Sequence, residues 1–216
     1  IFYFAGLSSP GMSFKKPKET YLSNYTGCKN FLEIIKLKKI NCKFLNASSC
    51  EIFAKTHKKL NINSKKGPIS PYGKSKLLSF NLSKDFRNNH KLKTYNAIIF
   101  NTESIYREKY FLIPKMCLAA ISAYKNNNKT YFGNLNISRE WNWCDEQVKY
   151  MLRFLSKKPQ DFMLSNQKTF SAKEMLAYAF NFFDLDYKKF VFTKKKYIRP
   201  NDFNIKKSNS KNNFEK

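Results

Sequence analysis

Apolar positions follow two different spacings along the chain. Short, near-continuous apolar runs at 1–5, 42–47, 94–100, 130–132 and 161–164 are too brief for helices and predict buried strands. Between them, apolar residues recur every three or four positions over 17–38, 72–88, 111–125, 145–157 and 171–183, which predicts amphipathic helices. Two of these helices carry start signals. Pro71 opens one, where its missing N–H costs nothing, and Ser171 with Glu174 three residues later forms a capping box at another. Strands alternating with helices argue for an α/β fold, a parallel sheet with helices on both faces. Residues 61–70 and 126–129 read as polar loops. From 206 to 216 the chain is lysine and asparagine with little to bury, which predicts a disordered tail.

With 216 residues and 42% hydrophobic content, the chain has enough apolar surface for one sizeable core and a small annex. No apolar run approaches the roughly 20 residues that cross a bilayer, so no membrane role is expected. The opening Ile1-Phe2-Tyr3-Phe4-Ala5 lacks a basic leader and reads as a core strand; starting on isoleucine, the chain reads as a fragment. Cys28, Cys42, Cys50, Cys117 and Cys144 show no Cys-x-x-Cys spacing, and His57 and His90 sit in polar stretches. Neither a metal site nor a disulfide framework follows, and reduced thiols in a cytoplasm are the simplest account. The net charge of +26 invites a nucleic-acid reading. Against it, the lysines are spread evenly and travel with Asn, Ile, Phe and Tyr, the bias of an AT-rich coding sequence.

Chemistry enters through two residue pairs. Ser49 and Glu51 follow the end of the predicted strand at 42–47, and Tyr72 and Lys76 share one face of the helix that Pro71 opens. Such a set suits oxidation of an alcohol. A lysine ammonium one turn from a phenol favours the phenolate, so that Tyr72 takes a hydroxyl proton while Ser49 holds the same hydroxyl. Glu51 would remove a second, carbon-bound proton made acidic by the new ketone.

At these residues the chain resembles the extended short-chain dehydrogenases that act on nucleotide sugars, the GDP-mannose 4,6-dehydratase family most of all, from Ile1 to about Lys211. The resemblance runs through Phe4-Ala5-Gly6-Leu7-Ser8, Ser13-Phe14-Lys15-Lys16-Pro17, Asn24 with Gly27, Phe100-Asn101-Thr102-Glu103-Ser104, Ser138-Arg139-Glu140-Trp141 and Arg199-Pro200, in the family's order. It implies a Rossmann-like sheet, NADP as cofactor and GDP-mannose as substrate, converted to GDP-4-keto-6-deoxymannose. It also implies roles: Ser49, Glu51, Tyr72 and Lys76 in catalysis; Ala5, Tyr72, Lys76 and Arg107 at the cofactor; and Ser8, Asn101, Leu112, Lys115, Arg139 and Arg199 at the substrate. The Arg107 loop would reach a neighbouring subunit's cofactor in a homodimer or homotetramer. Residues 1–125 would be the rest of the cofactor-binding domain, and 126–205 mostly the substrate-binding region. Among 41 basic residues only five are arginine, and Arg107, Arg139 and Arg199 fall at family ligand positions, where a planar fork suits phosphate and ribose.

The chain departs from the family in places. None of its six glycines forms Gly-x-x-Gly-x-x-Gly or Gly-x-Gly-x-x-Gly, the turn that holds a dinucleotide pyrophosphate. Ser49 stands for the family's threonine, Ser9 and Thr102 for histidines, Asn142-Trp143 for glycine-histidine, and Lys109 for an acidic residue. Two rivals stay open: another NDP-sugar epimerase or dehydratase, in which an epimerase has no need of Glu51, and a non-catalytic basic remnant.

Overall fold

The computed structural model describes residues 1–56 and 58–198 and the backbone of Ile205–Lys206. Of the tail predicted at 206–216 only Lys206 is described, and its backbone pairs with Arg139 in a short strand; 207–216, and Arg199 as well, lie outside the described residues. In chain order the first half forms β1 (Phe2–Tyr3), α1 (Pro10–Ser13), α2 (Pro17–Tyr21), α3 (Gly27–Leu37), β2 (Lys43–Ser49), α4 (Pro71–His90), β3 (Lys93–Ile99) and β4 (Asn101–Glu103). The second half forms α5 (Leu112–Asn126), β5 (Thr130–Phe132), β6 (Ser138–Arg139), β7 (Trp141–Trp143), α6 (Cys144–Leu155), β8 (Asp161–Leu164), β9 (Phe170–Ser171), α7 (Ala172–Asn181), β10 (Val191–Thr193) and β11 (Ile205–Lys206).

The main sheet has the order β1-β2-β3-β8, with every pairing parallel. A parallel sheet is covered on both faces, and here α3 and α4 pack on one side while α6 packs on the other. Tyr3 and Phe44 meet Cys28, Leu32, Ile35 and Phe86 on the first face. Leu45, Tyr95, Ala97 and Phe162 meet Met151 and Phe154 on the second.

A polar row crosses this core at one register level, since Asn46 pairs with Asn96 and Asn96 with Asp161. Asn46 Nδ2 donates to Asn96 Oδ1 at 2.8 Å, Asn96 Nδ2 donates to Asp161 Oδ1 at 2.9 Å, and Arg87 closes the row on Asp161 at 2.7 Å. A slip of one residue would turn these groups toward apolar neighbours, so the row fixes the strand register.

The packing crosses residue 125 in both directions. Met116, Ala119, Ala120 and Ala123 of α5 share a cluster with Leu176 and Phe180 of α7 and with Phe132, whereas β8 is a strand of the main sheet. The helix expected over 17–38 is interrupted by a π-helical turn at Leu22–Thr26. Its cause is local: Asn24 is turned inward, fully buried, and donates to the Leu7 carbonyl at 3.1 Å, which ties the β1 exit loop to the helix. No described helix is long and apolar enough to cross a membrane.

Candidate active site

One cleft of about 730 Å³ lies past the carboxyl ends of β2 and β3. Parallel sheets place ligand sites there because the strand ends and the loops after them leave a crevice. The turn after β2 supplies the first pair. Ser49 caps the 3-10 turn Cys50–Ile52, its Oγ accepting from the Glu51 N–H at 3.2 Å. The Ser49 side chain also acts on the Tyr72 phenol, in the direction that favours the phenolate.

The second pair arrives on α4. Ser70 caps this helix by accepting from the Gly73 N–H at 3.0 Å, with Pro71 at its first position. Gly73 allows the close approach: a Cβ there would sit 2.6 Å from the Glu51 carbonyl oxygen and 2.9 Å from Pro68 Cβ. Lys76 reaches back under the turn, its Nζ donating to the Ala47 carbonyl at 2.9 Å and standing 5.9 Å from the centre of the Tyr72 ring.

The electrostatics differ from the expectation for Tyr72. Burial pushes its phenol well above the usual range; the Ser49 hydrogen bond and the Arg107 guanidinium act downward, while Cys50 and Glu51 act upward. Lys76 does not enter that balance. Its own ammonium is buried and held down to about 8, and the one group acting upward on it is the Cys28 thiol, itself pushed up to about 12 by burial. Burial dominates because both groups sit where water is excluded and the charged form of each is disfavoured.

Most residues singled out in the sequence line this one cleft: Ser49, Glu51, Tyr72 and Lys76, with Ser8, Asn101 and Arg107. Leu112, Lys115 and Arg139 line it from the second region. Lys115 donates to the Tyr131 carbonyl at 2.7 Å and lies over the Phe132 and Tyr197 rings at 4.5 and 5.1 Å. Arg139 is buried and donates to the Ser138 carbonyl at 2.9 Å. Ala5 is exposed and stands outside the cleft lining, because the residues on either side of it, Phe4 and Gly6, are the ones that face in. Among the described residues no group of His, Cys, Asp and Glu is arranged to hold a metal.

The family model described as GDP-mannose 4,6 dehydratase matches residues 1–213. This chain belongs to the GDP-mannose 4,6-dehydratase family. GDP-mannose 4,6 dehydratase 1 of Arabidopsis thaliana is 29% identical over 98% of this chain and 60% of its own length. The Sinorhizobium fredii enzyme is 27% identical over 83% of this chain and 53% of its own. The chain therefore spans a little over half the length of these curated relatives. Among solved structures it is similar in fold to RMD from Pseudomonas aeruginosa complexed with NADPH, with a TM-score of 0.82 at 17% identity over 92% of this chain and 70% of that one. DesIV, a dTDP-glucose 4,6-dehydratase from Streptomyces venezuelae with NAD and TYD bound, gives a TM-score of 0.83 at 16% identity, covering 96% and 63%.

Sequence reasoning missed several members of this dehydratase-family cleft. Glu103 was visible only as part of a motif, and its side chain lines the cleft beside Arg107. Cys50 and Cys144 also line it, as do Gly133 and Tyr197. Glu103 had a usable signal, a carboxylate four residues before an arginine just after a strand. The cysteines had none.

Proposed function

We propose that this chain carries the catalytic half of a GDP-mannose 4,6-dehydratase, and the observation that supports it most is the convergence of Ser49, Glu51, Tyr72 and Lys76 on one cleft at the strand ends. Tyr72 accepts the proton of the sugar's C4 hydroxyl, helped by the Ser49 side chain, which favours the phenolate. Glu51, one residue beyond Cys50 on the same turn, removes the C5 proton that the C4 ketone has acidified, and water leaves from C6. Lys76, fixed on the Ala47 carbonyl, holds the floor beneath Tyr72. When bound, NADP supplies the hydride acceptor and donor at opposite ends of the cycle.

The residues present fit the nicotinamide end of such a cofactor. The cleft has the room, and the Arg107 Nε and Glu103 Oε2 atoms are buried in it without a hydrogen-bond partner among the described residues. The 216 residues contain no glycine-rich turn for the pyrophosphate. We place the protein in the cytoplasm and read it as a homodimer. Tyr21, Leu22, Phe31 and Ile34 leave an apolar surface on the helices at 17–37, and the loop of Arg107, with its exposed Tyr106, is available for further pairing into a homotetramer.

The test is a chimera in which the N-terminal segment of the Arabidopsis relative precedes Ile1. It should convert GDP-mannose to GDP-4-keto-6-deoxymannose. Turnover of UDP- or dTDP-hexoses with none of GDP-mannose would move the chain to a sister activity.

A further inference from the structure

Between Glu51 and Tyr72 the chain leaves the Cys50–Ile52 turn at Phe53 and comes back along 65–70 to the start of α4. The return runs antiparallel to the exit. The Gly67 N–H donates to the Ile52 carbonyl and the Ala54 N–H to the Lys65 carbonyl, each at 3.0 Å, with Phe53 opposite Lys66. Gly67 allows this approach, since a Cβ there would stand 2.9 Å from Ala54 Cβ. Lys66 locks the pairing from the side. Its Nζ donates to the Ile62 carbonyl at 2.6 Å and the Ser64 carbonyl at 3.0 Å, and stands 4.7 Å from the centre of the Phe53 ring and 5.8 Å from that of Phe80 on α4. The turn that supplies those carbonyls is braced by its own side chains: Ser64 Oγ accepts from the Asn61 N–H and Asn61 Oδ1 from the Asn63 N–H, both at 2.9 Å. One half-buried ammonium, its charge met by two carbonyls and two rings, thus ties a braced turn to Phe53.

We propose that Lys66 is a positioning residue: it holds Phe53, and through Phe53 the turn that carries Glu51, so that the elimination step depends on it and the first hydride transfer does not. The step given to Glu51 rests on the function proposed above; the hold on Phe53 does not. Phe53 is 3% exposed and lines the cleft, whereas Lys66 stands outside the lining and acts through the ring. Two residues after Glu51, Phe53 also closes the turn, its N–H donating to the Cys50 carbonyl at 3.3 Å. Upstream the turn is held by Ser49, which accepts from the Glu51 N–H. Downstream it is held by the Gly67 bond and by the Lys66 ammonium over the ring. Tyr72 is carried instead by α4, which has its own anchors in the Ser70 cap and Pro71. Loosening 65–67 therefore reaches Glu51 before it reaches Tyr72.

The experiment has two arms. In the 216-residue chain, Lys66→Met keeps the length of the side chain and removes its charge, so the Ala54 and Gly67 amides should exchange hydrogen about tenfold faster or more, while those of α4 and β3 keep their rates. This arm needs no turnover, and its failure is separate from a failure of the dehydratase reading. In the chimera supplied with GDP-mannose, Lys66→Met should slow release of GDP-4-keto-6-deoxymannose by about ten- to a hundredfold. The burst of reduced nicotinamide should keep its rate, so that reduced cofactor and 4-keto sugar build up. Gly67→Ala, which pries the same segments apart with Lys66 in place, should give the same build-up. Lys66→Arg retains the cation and its donors and should bring both readouts back to within about threefold of the unaltered protein. Unchanged exchange at Ala54 and Gly67 in Lys66→Met overturns the proposal. So does a burst that falls in step with turnover, which would make Lys66 a general support of the fold, and so do equal defects in Lys66→Met and Lys66→Arg.

Discussion

The two walls of the cleft are built differently. On the β2–α4 side Ser49, Tyr72 and Lys76 are each under a tenth exposed, with Ser49 bonded to the Glu51 N–H and Lys76 to the Ala47 carbonyl. On the opposite side stand strands of two or three residues, a loop in which Ile105 and Tyr106 are 79% and 87% exposed, and lysines resting on aromatic rings. In the function we propose, the contrast separates proton transfer from recognition: the groups that would move protons are buried and held, whereas those that would meet a ligand are left free to adjust to it.

The largest effect should come from the fixed wall. In the chimera, Tyr72→Phe should abolish hydride transfer, a loss of about 10²- to 10⁴-fold or more in turnover, because no other described group takes the hydroxyl proton. Stopped-flow absorbance of the reduced nicotinamide reads it directly. A surviving burst of reduced cofactor would mean that the buried phenol is not the base.

Glycine substitutions compare the walls without any ligand. Gly73→Ala drives a Cβ into the Glu51 carbonyl between a core helix and the catalytic turn, and it should cost about 1–3 kcal/mol in denaturant unfolding. Gly133→Ala meets the Tyr197 backbone more closely still, where Tyr197 and Ile198 are half-exposed. If the second wall yields as the comparison holds, its cost should stay below about 1 kcal/mol despite the closer clash. Equal costs would mean that the second wall is as rigid as the first.

That division also explains what the sequence revealed. The main strands and helices were legible because each is long enough to show its period, and Ser70-Pro71 and Ser171 marked two helix starts by chemistry alone. The wall of Ser49 and Tyr72 was legible because Ser49 with Glu51 and Tyr72 with Lys76 are local pairs on single elements. β4, β6, β7, β9 and β10 were not, since strands of two or three residues carry no period and exist only through pairings with distant partners such as Asn101 with Trp141. The balance of charge at Tyr72 was equally hidden. Spacing placed Lys76 one turn away, but only the fold shows its ammonium turned to the Ala47 carbonyl and Arg107 brought in from another element.

A smaller effect should separate the walls by pH. Glu103 has a raised carboxyl, so its contribution to stability is whole below the ordinary carboxylate range and is lost as pH rises through about 7. Thermal unfolding should show Glu103→Gln gaining on the unaltered chain between about pH 4.5 and 7 and holding the gain above. A difference independent of pH would mean that Glu103 is solvated in the folded chain.

The central claim, that this cleft eliminates water rather than only oxidising an alcohol, rests on Glu51. In the chimera supplied with GDP-mannose, Glu51→Gln should permit the first hydride transfer and stop there, so that enzyme-bound reduced nicotinamide and a 4-keto sugar accumulate without loss of water. Rapid-quench mass spectrometry of the sugar, paired with absorbance of the cofactor, measures both. Normal release of GDP-4-keto-6-deoxymannose by Glu51→Gln would contradict the account and leave Glu51 a structural carboxylate.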